Sequence, residues 1–184
     1  MESSARRARR HDPDRRERLI DAALAIVAEH GVAGVSHRTV ARAADVPLGS
    51  TTYHFTSLDD LLAAAFTRHA DSIAGVFEER MRAAPDRAAA IESVAEHISG
   101  DLLDANHDLV LSVELYVAAA RKPALRAVTQ AWMRRSRDAL EHHFDPSTAR
   151  ELDALIEGLV LHSALSTDPM TPAQVRAALH RFLP

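Results

Sequence analysis

Arginine crowds the start of this chain. Seven of the first twenty residues are arginine, against four carboxylates. Arg6, Arg7, Arg9 and Arg10 form a basic arm, and guanidinium groups can neutralise phosphates or enter a narrow minor groove. The stretch SHRTVARAADVPLGSTTYHF, residues 36–55, then offers hydroxyls and rings at helical spacing. His37, Arg38 and Thr39 open one short segment, and Gly49, Ser50, Thr51, Thr52, Tyr53 and His54 form the next. Side chains of these types on a second helix reach base edges in a major groove, while the helix before it touches the backbone. Residues 1–56 carry a balance of +2 and residues 57–184 one of -6. A basic end on an acidic body points to a polyanionic partner, expected here to be double-stranded DNA.

Catalytic and metal chemistry find less support. None of the 11 histidines has a glutamate three places before it, as the histidines of helical di-iron sites do. There is no HExxH, no Gly-x-Ser-x-Gly and no glycine-rich phosphate loop. Without cysteine, thiol catalysis and cysteine-based zinc sites are excluded. The expectation is therefore no enzyme, no metal and no cofactor. A helical-bundle metalloenzyme is one alternative class, and an architectural DNA-binding protein without a ligand is another.

The elements that must position these groups are helices. Alanine, the best helix former, occurs 35 times, glycine only 6 times, and aromatics make up 4% of the chain. The 47% hydrophobic fraction suffices for a core. No apolar run approaches the roughly 18 residues that cross a bilayer, and no apolar stretch follows the N-terminal arginines. The reading is a cytoplasmic, all-α protein without a membrane partner.

Apolar periodicity and caps predict nine helices. The first runs from Asp12 or Asp14 to Gly31. Ser36 caps the second (37–44), Asp45-Val46-Pro47 breaks it, and the third covers 48–54. Ser57, with Asp60 three places on, opens a long fourth helix that stops near Pro85. The fifth covers 86–104, with Gly100 bending or fraying its end. Helices over 108–120 and 123–144 follow, and Asp145-Pro146 and Thr171-Pro172 open the last two. The division expected is a DNA-binding domain over 1–56 and a ligand-binding and dimerisation domain over 57–184.

Two short helices joined by a three-residue turn make a helix-turn-helix, with Ala41 at the close crossing and Val40, Ala44 and Val46 packed beneath. Together with Glu29–Gly31 (EHG) and Ser57–Leu62 (SLDDLL), residues 15–62 resemble the TetR family of transcriptional regulators. Thr51 and Thr52 stand where that family often has an apolar residue and then tyrosine, and Tyr53 follows one place later. Leu58 replaces a usual lysine, and Asp45 a usual glycine in the turn. The resemblance implies a homodimer on a two-fold symmetric operator. It also implies a C-terminal body that binds an unknown small-molecule effector and changes the spacing of the two reading heads. Repression is the family habit.

Within the body, polar or aromatic residues among apolar neighbours are the candidate pocket groups: His69, His97, Glu114, Tyr116, Trp132 and His162. Phe66, Leu102, Leu111, Leu115 and Met133 are candidate apolar wall. Glu114, inside LSVELYVAAA, is favoured as the polar group of a site for a cationic ligand. Leu155, Leu159, His162, Val175 and Leu179, on the last two helices, are expected near the dimer axis.

Overall fold

The computed structural model describes residues 14–101 and 106–183, which form nine α-helices and no strand. They are α1 (Arg15–His30), α2 (His37–Ala43), α3 (Gly49–His54), α4 (Leu58–Ala83), α5 (Arg87–Glu96), α6 (Asn106–Ala119), α7 (Pro123–Leu140), α8 (Pro146–Leu165) and α9 (Pro172–Phe182). The all-α expectation holds. The chain divides into two compact units, residues 1–67 and 68–184. The division falls within α4 rather than at 56/57, because the first turns of α4 bury Leu61, Leu62, Ala65 and Phe66 with the N-terminal unit.

In the first unit, α1 packs on both α2 and α3. Of the residues that helical spacing puts on one face, Leu19, Ala23, Ile26 and Val27 are buried, with Ile20 beside them, whereas His30 is exposed. Gly31 ends α1 with φ 69°, a left-handed conformation that glycine adopts without strain. Ser36 and Thr39 then form a reciprocal capping box. The Thr39 amide donates to Ser36 Oγ (3.1 Å), and the Ser36 amide donates to Thr39 Oγ1 (2.8 Å). In the turn, Asp45 has φ 50°, so the residue standing in place of glycine takes the left-handed backbone that aspartate tolerates. At the start of α4, the Asp60 amide donates to Ser57 Oγ (3.1 Å). The short Asp60 carboxylate reaches back to the Thr56 amide (2.9 Å) instead of completing the box at Ser57.

In the second unit, α5 and α9 pack together, α7 lies against α6 and α8, and Phe77, Met81, Val94, Ile98, Leu140, Leu152, Val175 and Leu179 share one core. Helix α5 does not run on to residue 104. It changes at His97–Asp101 into a π-helical turn that also touches α8 and α9. Such turns are uncommon and occur often at functional sites. Polar ties link the helices. Arg135 of α7 donates to both carboxylate oxygens of Glu78 (2.6 and 2.9 Å) and to Asp71 (2.6 Å), both on α4. His143 Nε2 bonds the Met81 carbonyl (2.8 Å), and Arg176 of α9 holds Glu92 of α5 (2.8 Å).

Candidate DNA-reading head and ligand cavity

Only part of α3 is exposed. Tyr53 is 84% exposed and stands edge-on to the half-buried His54, with ring centroids 5.0 Å apart. Thr52 and Gly49 are exposed as well. Thr51, by contrast, is 0% exposed and donates its hydroxyl to the Leu48 carbonyl (2.8 Å), and Ser50 is buried too. The expectation of base contact is corrected for both. In a six-residue helix packed against α1 and α2, one face must turn inward, and residues 50 and 51 lie on it. The departure from the family pattern at Thr51 is therefore a packing position. Thr39 is half-buried, and its hydroxyl is engaged with the Gly34 and Ser36 carbonyls and with its own cap. Arg38 is exposed and His37 half-buried on α2. Arg42, which sequence reasoning passed over, is also exposed on α2. Arg16 stacks its guanidinium over the buried Phe55 ring, 5.3 Å from the centroid. Arg6, Arg7, Arg9 and Arg10 lie outside the described residues.

The second unit contains a cavity of about 280 Å³, walled by α4, the π-turn, α6, α7 and α8. Phe77, Leu109, Val113, Val117, Ile156 and Val160 make most of it apolar. Two aromatics give it a flat surface, because Tyr116 and Trp132 stack with centroids 5.9 Å apart and only 13° between planes. Trp132 is the chain's single tryptophan. Two carboxylates, Asp153 and Glu157, also line the cavity, one turn apart on α8. Asp153 accepts from Arg137 Nε at 3.0 Å, and Glu157 accepts from the Tyr116 hydroxyl at 2.8 Å. Glu157 is open to solvent, yet protein crowds around it. That desolvation, with the Asp153 charge added, raises its pKa above the usual carboxylate value despite the opposing Tyr116 bond. The Tyr116 hydroxyl is pushed up as well, by its enclosure and then by Glu157, so it remains a donor.

Of the expected pocket residues, the cavity brings together His97, Tyr116, Trp132 and Met133. His97 also stacks on Phe77 at 4.8 Å. His69 stands one layer back. It is buried, bonds Ser112 Oγ (3.0 Å) and meets the Trp132 ring edge-on at 6.0 Å. The remaining expectations that fall on described residues are corrected. Phe66 belongs to the core of the first unit. Leu111 and Leu115 are buried away from the cavity, and Glu114 does not line it. The wall positions of α6 are 109, 112, 113, 116 and 117, a single helical face, and residues 111, 114 and 115 fall off it. His162 lies instead in a groove at the end of α8 with Leu165 and Met170. Leu102 is outside the described residues. Asp153, Glu157 and Ser112 were missed. The signal for the two acids was present in α8, where they stand one turn apart beside an apolar stripe.

Ser112, His69 and Asp108 follow the order of a hydrolytic triad, with His69 Nδ1 3.7 Å from Asp108. The Ser112 hydroxyl, however, donates to the Asp108 carbonyl at 2.8 Å, and so does not offer its proton to the histidine. Among the described residues no cluster of three or more metal-binding side chains occurs, and no helix is long and apolar enough to cross a membrane.

Val175 and Leu179 are both 0% exposed within their own unit, which corrects their place in a dimer face, since intramolecular packing already consumes them. Leu155 and Leu159 are half-buried, whereas His162, Leu161 and Leu165 of α8 are exposed.

Comparison with known proteins decides the family. Residues 19–65 match the model for bacterial regulatory proteins of the tetR family, and residues 85–184 match that for the tetracyclin repressor-like C-terminal domain. The chain belongs to the TetR family. This TetR-family protein is a ligand-responsive, DNA-binding transcriptional regulator. A transcriptional regulator from Streptomyces coelicolor A3(2) is 54% identical, with TM-score 0.88 over 92% of this chain and 98% of its own. The multidrug binding protein EbrR, solved in complex with ethidium, is 42% identical, with TM-score 0.82 over 94% and 99% of the two chains. The HTH-type transcriptional regulator BetI 2 of Chromohalobacter salexigens is 27% identical, over 94% of this chain and 88% of its own.

Proposed function

We propose that this regulator represses transcription as a two-fold homodimer and leaves its operator when a cationic aromatic molecule enters the cavity. The observation that carries the reading is the cavity wall, where the stacked Tyr116 and Trp132 face an apolar lining beside Glu157. Flat rings bind flat rings, and a carboxylate in a crowded site favours a cation over a neutral or anionic molecule. EbrR, which has the same fold, has been solved with ethidium, proflavin and malachite green.

Tyr53, Thr52, Gly49 and His54 would contact bases or adjacent phosphates from α3, and His37, Arg38, Thr39 and Arg42 would contact the backbone from α2. Arg6, Arg7, Arg9 and Arg10 would add phosphate or minor-groove contacts. Leu155, Leu159, His162, Leu161 and Leu165 would form the dimer face, setting the heads about 34–36 Å apart on DNA, one helical turn. The cytoplasm is the compartment that fits, since the operator lies there.

The test uses a labelled duplex from upstream of the protein's own gene, with non-specific competitor. Tetraphenylphosphonium, an aromatic cation that does not intercalate, is then added. Release of the duplex with parallel quenching of Trp132 is expected. A specific complex that survives saturating cation, with Trp132 unchanged, would overturn the reading.

A further inference from the structure

The two cavity carboxylates are not equivalent. Asp153 and Glu157 project from successive turns of α8 into one cavity, but only Asp153 has a cationic partner. Its bond from Arg137 Nε is 3.0 Å long, and the two side chains are 10% and 25% exposed. A pair this dry is neutralised by direct contact rather than by solvent. Arg137 does not line the cavity, so it stands behind Asp153 and cancels its charge without occupying ligand space. Glu157 accepts only from the neutral Tyr116 hydroxyl among the described residues. No lysine or arginine lines the cavity. Of the two lining carboxylates, one is therefore left without a cationic partner.

We infer that Arg137 sets the charge number of the effector: by pairing with Asp153 it leaves Glu157 as the single free carboxylate, so the cavity selects aromatic monocations over dications. This rests on the reading of the cavity as a site for cationic aromatics. A second positive charge on the ligand would have to shed water with no counter-charge to meet it, and burying an unpaired charge is costly. Removing the Arg137 charge would uncover the second carboxylate. Removing the Asp153 charge alone would leave a positive guanidinium close behind the wall, offsetting Glu157.

Ethidium and propidium test this. They share a phenanthridinium ring, and propidium adds a quaternary ammonium on a side chain. Both are titrated against the full-length protein without DNA at pH 8, with thermal melts confirming that each variant is folded. Wild type is expected to bind ethidium at least tenfold tighter than propidium. Arg137→Gln should shift that ratio at least tenfold toward propidium. Asp153→Asn should weaken ethidium at least tenfold. The double variant Arg137→Gln/Asp153→Asn, a neutral pair in place of an ionic one, should return to the wild-type ratio. If Arg137→Gln does not fold, Asp153→Asn and the double variant still decide the matter. An unmoved ratio in folded Arg137→Gln, or undiminished ethidium affinity in Asp153→Asn, overturns the inference while leaving the cationic reading intact. Failure of wild type to bind ethidium overturns both.

Discussion

Replacing Glu157 by glutamine removes one charge from the cavity and almost nothing else. Glutamine has the same shape, and its side-chain oxygen can still accept the bond that Tyr116 donates at 2.8 Å. The change in affinity for a cation is then the electrostatic contribution of the carboxylate. Two unit charges about 5 Å apart at an effective dielectric of about 20 attract by roughly 3 kcal/mol. Glu157 is open to solvent, so screening lowers this to about 1.5–3 kcal/mol, a loss of roughly tenfold to a hundredfold. The assay is quenching of Trp132, whose stack with Tyr116 places it in the cavity wall and which has no other tryptophan to mask it. Ethidium affinity should fall by that factor, while uncharged phenanthridine should bind equally to both proteins. The pH dependence follows with a fixed sign. Only ionised Glu157 attracts a cation, and its pKa is raised by crowding and by Asp153. Ethidium affinity should therefore decline as pH falls, beginning above the pH at which an ordinary glutamate titrates, and Glu157→Gln should flatten that decline. A change of less than twofold for ethidium, or an equal loss for phenanthridine, would refute the assignment of Glu157 as the charge that reads the ligand.

Two further outcomes separate inward from outward residues, and a third tests an ion pair. Thr51→Val should leave operator affinity within twofold, because the Thr51 hydroxyl is spent on the Leu48 carbonyl, whereas Tyr53→Ala should weaken it at least tenfold; electrophoretic mobility shift with competitor distinguishes them. Leu179→Ala should cost about 2–5 kcal/mol of stability in a denaturant melt, since it hollows a filled core, while Leu165→Arg should keep the helix content by circular dichroism and yield monomers by sedimentation. The bond from Arg135 holds the Glu78 pKa below its ordinary value of 4.5, so the stability it adds is complete above that pH and is lost as pH falls through the lowered value; in Arg135→Gln that part of the acid sensitivity should disappear from melts taken between pH 5 and 3.

The sequence by itself determined the elements and the head. Alanine content, caps and apolar periodicity located the helices to within a few residues, except at the end of α5, which stops at Glu96. The capping box at Ser36 and Thr39, the stop at Gly31 and the left-handed turn at Asp45 are local devices, complete within a few residues of chain, and so could be read from the order of residues. Gly100 marked a break near the end of α5, but its form, a π-turn at His97–Asp101 touching α8 and α9, was not legible from those residues alone. Tertiary structure alone decided which face of each element is used. Spacing put Thr51 beside Tyr53 on one short helix, but only the packing of α3 on α1 and α2 turned one inward and left the other 84% exposed. Periodicity could mark Glu114 as a lone acid in an apolar run. It could not reveal that α6 offers Tyr116 to the cavity and that the acids meeting it come from α8, forty-one residues away in the chain at Glu157. Val175 and Leu179 read as an apolar stripe awaiting a partner, and the partner proved to be the protein's own core. A helix face is a property of local sequence, but what covers it depends on contacts distant in the chain.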